Sequence, residues 1–320
     1  MSASPAPTRH SALCVVSPCY NEADGVRRFY EAVTAALDGS GNRDHTIVFV
    51  DDGSTDATLR ILNELAAADA RVRVYSLSRN FGHQVALTAG CDVATGDAVI
   101  LMDSDMQHPP HLLPEMVAKW RAGADVVSAV RRFSEGASLF KRMSAWAFYG
   151  AINRISDTRI VPNAADFVLL SRRAHEALLR MPEHHRFLRG MVSWIGFRRE
   201  FVEYQAPLRS AGKSSYTLRR MTRLASDALF SFSAEPVRLA TRVGLGLVGL
   251  GMLYLAYILY TLLAEPGKIV PGWSSLICVV LITSGAQIVF IGLIGEYVSR
   301  IFEEAKRRPL YFFKQRPDSP

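Results

Sequence analysis

The sequence predicts an α/β domain built on a mostly parallel sheet, followed by a hairpin of two membrane-spanning helices. Three observations carry this expectation. Apolar, β-branched runs alternate with helix-patterned stretches from Leu13 to Leu170. Two long runs nearer the C-terminus contain no charged residue. The charge is also divided unevenly: residues 1–205 hold 23 basic and 23 acidic side chains, whereas 206–320 hold 14 and 7, which is the whole formal charge of +7. A neutral globular part followed by a basic one is not the pattern of a nucleic-acid groove.

The alternation begins after a tail, residues 1–10, rich in Pro, Ser and Ala and lacking a signal-type apolar core. The first domain is therefore expected to be cytosolic. Strands are predicted at Leu13–Ser17, Thr46–Asp51, Val72–Leu77, Ala98–Met102, Asp125–Val130 and Asp166–Leu170. Helices are predicted between them, at Glu22–Leu37, Asp56–Ala68, Gln84–Ala94, His111–Arg121 and Ser138–Ile155. Strands that are apolar almost throughout are buried on both faces, so the helices cover both sides of the sheet. Cys14, Cys19, Cys91 and Cys278 form neither a C-x-x-C pair nor a disulfide framework, which argues against a secreted scaffold or a zinc ribbon.

Val243–Ala264 is 22 residues without a charge. As a helix it would be about 33 Å long, enough for a hydrocarbon core of about 30 Å. Ile269–Gly295 is a second such run, and Glu265-Pro-Gly-Lys268, Pro271 and the interface-type Trp273 separate the two. Arg219, Arg220, Arg223, Arg238 and Arg242 precede the pair, and Arg300, Lys306, Arg307, Arg308, Lys314 and Arg316 follow it. By the positive-inside rule both ends face the cytoplasm. Tyr216–Phe232 has apolar residues at helical spacing with arginines opposite, the pattern of an interfacial helix on an anionic membrane. Gly244, Gly246 and Gly249 match the dinucleotide-binding fingerprint, yet they lie inside an apolar span with no strand before them. Close helix packing explains them better. The expected domains are a tail (1–10), an α/β domain (11–212), juxtamembrane helices (213–240), two spans (241–298) and a basic cytoplasmic tail (299–320).

In open α/β sheets, ligands bind beyond the carboxyl ends of the strands. Here three strand ends carry carboxylates: Glu22 after the first, Asp51 and Asp52 after the second, Asp103 and Asp105 after the fourth. Crowded like charges raise one another's pKa unless a cation intervenes. Asp-x-Asp with the Gln107 amide is a hard, oxygen-rich set suited to Mg²⁺ or Mn²⁺ that also holds phosphates. Each piece alone is weak: Asp-Gly-Ser is a common turn, and Ser54 or Asp56 alone reads as a helix cap. His108-Pro-Pro-His111 reads as a turn, His184-His185 as an exposed pair, and Arg189 as a helix anchor. The joint pattern is more specific than its parts.

Pro18-Cys-Tyr-Asn-Glu22, Val50-Asp-Asp-Gly-Ser-Thr-Asp56, Asn80-Phe-Gly-His83 and Asp103-Ser-Asp-Met-Gln107 resemble glycosyltransferase family 2, of the GT-A (Rossmann-like) fold. Ala165-Asp-Phe167, Phe187-Leu-Arg-Gly190 and Arg209-Ser-Ala-Gly-Lys-Ser-Ser-Tyr216, with the C-terminal hairpin, are similar to the polyprenyl-phosphate glycosyltransferases. Among these the bactoprenol glucosyltransferase type is nearest, and the dolichol-phosphate mannose synthases share the architecture. The resemblance spans about residues 12 to 310.

The resemblance implies inverting sugar transfer from a nucleotide donor, UDP-glucose first, to a polyprenyl phosphate at the cytoplasmic membrane. GDP-mannose and other nucleotide sugars are alternatives. It implies that Pro18, Tyr20, Glu22, Val50 and Asp52 line the nucleobase and ribose pocket, and that Asp103, Ser104 and Asp105 approach the ribose and diphosphate. Asp105 and Gln107 would hold the Mg²⁺ or Mn²⁺, and Asp166 would stand near the reacting sugar. Arg131, Arg209, Lys213, Ser214 and Tyr216 would meet phosphates near the membrane. Because the acceptor phosphate is already anionic, Asp166 is expected to position substrate more than to remove a proton. A processive polysaccharide synthase would carry a Gln-x-x-Arg-Trp element, which Lys119-Trp120-Arg121 is not. A non-catalytic nucleotide-sugar-binding membrane protein would not need Asp103, Asp105, Gln107 and Asp166 together. Gly292, Gly295 and Ser299 permit a homo-oligomer without requiring one.

Overall fold

A computed structural model of the chain describes residues 12–132, 164–184, 186–205, 235–264 and 272–317. Among these, residues up to 205 together with 309–317 form one compact unit, and 235–308 form another. The predicted helices at Ser138–Ile155 and Tyr216–Phe232 lie outside the described residues.

The first unit alternates as expected: β1 (Leu13–Cys19), α1 (Val26–Gly39), β2 (His45–Asp51), α2 (Thr58–Ala68), β3 (Val72–Leu77), α3 (His83–Val93), β4 (Ala98–Leu101), α4 (Leu113–Arg121), β5 (Val126–Arg132), β6 (Ala164–Ser171), α5 (Arg172–Leu179), α6 (Leu188–Trp194) and β7 (Arg199–Gln205). The second unit holds α7 (Glu235–Ala264) and α8 (Trp273–Lys306), after which β8 (Phe313–Gln315) rejoins the first. Among the described residues, the sheet has eight strands in the order β7-β5-β6-β4-β1-β2-β3-β8.

Helical spacing explains the burial. Val26, Phe29, Val33 and Leu37 form one stripe of α1, and Phe29 meets Phe49 of β2 edge-on, with centroids 6.1 Å apart. Leu62 and Leu65 of α2, and Met116 and Val117 of α4, join the same core beside Val15, Ile47, Ile100 and Leu169. Helix α3 packs on β1 and β2 and also meets α5. Helix α1 starts four residues later than its periodicity suggests. The preceding loop is tied elsewhere: Asn21 N–H donates to Ser54 Oγ at 3.0 Å and Glu22 N–H to Thr58 Oγ1 at 2.8 Å.

The order of strands decides where a ligand can sit. From β1 the chain steps outward through β2 and β3, then returns to place β4 on the other side of β1, all in parallel. This reversal opens a crevice at the carboxyl ends of β1 and β4. Next to β4 lies β6, and it is antiparallel, with Leu101 opposite Val168. The beginning of β6, not its end, therefore reaches the crevice, and Asp166 arrives beside the residues that follow β4.

Two strands are absent from the sequence reading. β7 pairs in parallel with β5, and β8 pairs antiparallel with β3. The segment expected to be a plain basic tail thus closes the far edge of the sheet. Tyr311 Oη donates to Asp92 at 2.7 Å, and the Phe313 ring packs at a tilt against Tyr75, with centroids 5.4 Å apart.

In the second unit, α7 and α8 are 30 and 34 residues long. Leu245, Leu253 and Leu263 are 67%, 72% and 84% exposed, which separates them from core helices of a soluble protein. Thr283–Lys306 is long and apolar enough to cross a membrane. Gly244, Gly246 and Gly249 lie within α7, with no strand leading into them, so the dinucleotide-fingerprint reading is excluded. A Cβ on Gly244 would lie 3.8 Å from the Phe290 ring, an ordinary packing contact between the two helices.

Candidate active site

The loops after β1, β2 and β4 meet at the crevice. Ser104 Oγ donates to the Pro18 carbonyl at 3.0 Å, linking the ends of β4 and β1, and Asp52 N–H donates to the Cys19 carbonyl at 2.8 Å, linking β2 to β1. Gly53 has φ of +68°, and a Cβ there would approach the Arg79 backbone to 2.5 Å, so only glycine lets this turn pass. Asn21 and Met106 also adopt left-handed backbone, at φ of 56° and 61°. Asparagine tolerates this; for methionine it costs about 1–2 kcal/mol. The loop carrying Asp105 and Gln107 is therefore held in a strained form, as binding loops often are.

The acidic residues divide by what their oxygens do. Asp51 is buried and accepts from Ser54 N–H at 3.1 Å and Ser76 Oγ at 2.8 Å. Asp52, also buried, accepts from Phe81 N–H at 2.7 Å and Gly82 N–H at 2.9 Å. Asp56 accepts from the N–H and hydroxyl of Thr58, the first residue of α2, and from Ala23 N–H. Asp105 is exposed, and Gln107 N–H donates to it at 3.0 Å. Asp103 Oδ1 is buried and receives no hydrogen bond. Burial, reinforced by Asp166 and Asp105, raises the Asp103 pKa against the pull of His108 and His83. Burial, followed by Asp105, Asp56 and Asp103, likewise raises Glu22. This is the crowding anticipated from the strand ends.

Pro18 and Val50 are buried; Val50 lies on the α3 side, close to Gly90. Tyr20 is 46% exposed and Glu22 partly so. Arg131 is exposed near the end of β5, opposite Tyr204. Arg209, Lys213, Ser214 and Tyr216 lie outside the described residues.

Asp166 is buried at the mouth of β6 and gripped from two directions. Arg189 of α6 makes a bidentate pair with it, at 2.6 and 2.9 Å, and Gln84 of α3 donates to it at 3.3 Å. Gln84 also accepts from Leu188 N–H at 3.3 Å, so it joins α3, β6 and the start of α6. Burial works to raise the Asp166 pKa, but the Arg189 guanidinium and His83 outweigh it and hold the carboxyl well below the usual range. A carboxylate so held is a poor base and a well-fixed anion.

His83, Gln84, His108 and Arg189 are site residues that sequence reasoning left without roles. His108, read as part of a turn, is buried; its Nδ1 accepts from Asp103 N–H at 3.0 Å, and its ring stacks on Phe167 at 5.4 Å. Burial lowers its pKa, consistent with a neutral ring accepting at Nδ1. His83 Nε2 lies 3.3 Å from Asp103 Oδ1 and 3.7 Å from Asp166 Oδ2. Burial opposes its protonation, but Asp166 and Asp103 raise its pKa overall. Two of these residues stood inside quoted motifs, Asn80-Phe-Gly-His83 and Phe187-Leu-Arg-Gly190, which was the available signal.

A divalent cation is tested by this donor set. No group of three or more His, Cys, Asp or Glu among the described residues forms a protein cage. The unsatisfied Asp103 oxygen, the raised Asp103 and Glu22, and the exposed Asp105 leave a local excess of negative charge. The residues fit a hard cation that takes few protein ligands and completes its shell with phosphate oxygens.

Comparison with known proteins agrees with this architecture. The family described as "Glycosyl transferase family 2" matches residues 14–179, and "GtrB C-terminal hairpin" matches 235–301. The chain is 40% identical to the Bacillus subtilis protein named "Uncharacterized glycosyltransferase YkcC", over 96% of this chain and 95% of that one. It is 38% identical to the Escherichia coli "Prophage bactoprenol glucosyl transferase homolog", over 95% and 98% of the two chains. It is 39% identical to the "Bactoprenol glucosyl transferase" of Shigella phage SfII, over 95% and 97%. The hairpin match and the exposed apolar helices make the protein membrane-associated. With its sheet order, its strand-end carboxylates and near-full-length relatives, the chain belongs to glycosyltransferase family 2 and is a glycosyltransferase of GT-A fold carrying a C-terminal hairpin.

Proposed function

We propose that the protein transfers glucose from UDP-glucose to a polyprenyl phosphate of the undecaprenyl (bactoprenol) type, releasing UDP. The observation that carries the reading is the near-full-length likeness to relatives named bactoprenol glucosyl transferases, hairpin included. The site chemistry supports it. Pro18, Tyr20, Glu22, Val50 and Asp52 surround the nucleoside end of the crevice, and Asp103, Ser104 and Asp105 meet the ribose and diphosphate. Asp105 and Gln107 would hold Mg²⁺ or Mn²⁺, and a cation bound there would supply positive charge against the leaving diphosphate. The acceptor phosphate monoester is already anionic near neutrality and needs no strong base. Asp166, locked to Arg189, orients the sugar instead of removing a proton. Attack opposite the diphosphate inverts the anomeric centre, giving a β-linked product from an α-linked donor. Arg131, Arg209, Lys213, Ser214 and Tyr216 receive the lipid phosphate.

The membrane arrangement belongs to the same reading. Helices α7 and α8 both span the cytoplasmic membrane, the basic flanks and both termini stay on the cytoplasmic side, and the interfacial segment before α7 presents the lipid headgroup. The test is nucleotide release by detergent-purified protein, crossing UDP-glucose, UDP-N-acetylglucosamine and GDP-mannose with and without polyprenyl phosphate, in Mn²⁺, Mg²⁺ or EDTA. Lipid- and metal-dependent release of UDP from UDP-glucose alone is expected. Release from GDP-mannose alone would replace the sugar and keep the reaction; no lipid-dependent release from any donor would end the reading.

A further inference from the structure

His83 stands where the two halves of the site meet. On one side is the loop after β4, with Asp103; on the other is the start of β6, with Asp166 bound to Arg189. The two carboxylates repel, as the effect of Asp166 on Asp103 indicates. Among the described residues, the β4–β6 pairing ends at Leu101–Val168, short of the tips that carry Asp103 and Asp166. A single ring nitrogen, His83 Nε2, approaches one oxygen of each, at 3.3 and 3.7 Å. The approach to Asp103 Oδ1 is electrostatic, since that oxygen accepts no hydrogen bond.

The position of the ring is itself fixed from a third strand. Asp52, at the end of β2, takes the Phe81 and Gly82 N–H groups, and Gly82 turns at φ of +100° to start α3 with His83 as its first residue. Asp52, Asp103 and Asp166 therefore lie around His83 from β2, β4 and β6, and Arg189 faces it from α6. The ring therefore sits among three carboxylates and one guanidinium, with its Nε2 between the two carboxylates that no backbone pairing joins.

We infer that His83 is a positioning residue: it ties Asp103 to Asp166 across the crevice and so sets the distance between the diphosphate-binding loop and the group that orients the sugar. The inference rests on the reading above for the meaning of those two sides. Losing the tie leaves donor affinity nearly intact, because Asp105, Gln107 and the nucleoside pocket remain. It misaligns the anomeric carbon against the leaving diphosphate, an error felt in kcat.

The experiment has two arms on the full-length protein in detergent. In the first, turnover is measured for wild type, His83→Leu and His83→Lys at saturating Mn²⁺ and lipid. His83→Leu is expected to lower kcat roughly 10- to 100-fold with donor KM within about threefold. His83→Lys, which again places an N–H donor between the two carboxylates, is expected to recover most of the loss. Equal loss in both variants, or a loss confined to KM, would overturn the inference.

The second arm needs no activity. Thermal midpoints are measured without ligand for His83→Leu, Asp103→Asn, Asp166→Asn and the two double variants. His83→Leu should lower the midpoint in wild type and change it less in either Asn background, since each Asn removes part of what His83 holds. Additive shifts in both backgrounds would overturn the tie. If wild type releases no nucleotide with any donor, the proposed reaction fails and this second arm alone decides the contact.

Discussion

Two sets of aspartates in the first unit have the same chemistry and opposite duties. Asp51, Asp52 and Asp56, at the end of β2 and just beyond it, have their carboxylates engaged by backbone or hydroxyl donors within the protein. Asp103 and Asp105, after β4, are left more open: one has a buried oxygen without a donor, and the other accepts from Gln107 N–H inside its own loop and otherwise faces solvent. The first set builds the crevice and the second remains available to what enters it. Motif spelling does not separate them, because Asp-Asp and Asp-x-Asp are equally acidic. The hydrogen bonds do.

The sharpest way to break this comparison is to exchange the expected losses. Asp105→Ala should cut nucleotide release about 1,000-fold, the scale of losing a group that stabilises transition-state charge. Its thermal midpoint should stay within about 2 °C of wild type, since an exposed side chain is removed. A large loss of stability with turnover preserved would reverse the assignment of the two sets. Asp52→Ala is the complementary case. It orphans two N–H groups that the protein partly buries, so unfolding in denaturant should show a loss of about 2–4 kcal/mol. If the variant is as stable as wild type and loses only donor binding, Asp52 belongs with the second set.

Metal and pH sharpen the same contrast. In metal-free protein, Asp103 and Glu22 carry raised pKa values in the folded state, so that state binds more protons than the unfolded chain. Their contribution favours folding at low pH and fades as pH rises from about 4 through the raised values. Asp166 runs the other way: its lowered pKa stabilises the fold above the ordinary carboxylate range, and that stability is lost as pH falls below about 4. Added Mn²⁺ should raise the thermal midpoint at pH 7.5 by a few degrees for wild type, about 3 °C. It should do nothing for Asp105→Ala; an equal rise in both would place the cation elsewhere. The smallest effect is expected from Ser104→Ala, which loses one neutral hydrogen bond to Pro18 and about 1 kcal/mol in a denaturant titration.

Much of this was legible in the sequence, and the exceptions have physical causes. The central strands are buried on both faces, which is why apolar runs such as Ala98–Leu101 of β4 marked them with little error. β7 carries Arg199, Glu200 and Glu203, as an edge strand can, and β8 is three residues long, so neither presents a buried-strand pattern. The acidic loops were legible because turn residues and carboxylates cluster in sequence. The partners of Asp166 were not: Gln84 is 82 residues before it and Arg189 is 23 after it. Only the antiparallel placement of β6 brings them together. His108 was hidden by its prolines, since Pro109 and Pro110 mark a turn and say nothing about a buried ring beside Asp103.

The return of β8 changes what kind of object the hairpin is. A terminal anchor could be removed and leave the catalytic fold whole, but this one is an excursion inside it, with sheet on both sides in chain order. During synthesis, β3 waits with an open edge until both long helices have been made, and only then does Phe313–Gln315 pair with it. The last rung of the sheet is thus written after the apolar hairpin, so completing the enzyme's fold and making its membrane-associated helices become one ordered event instead of two.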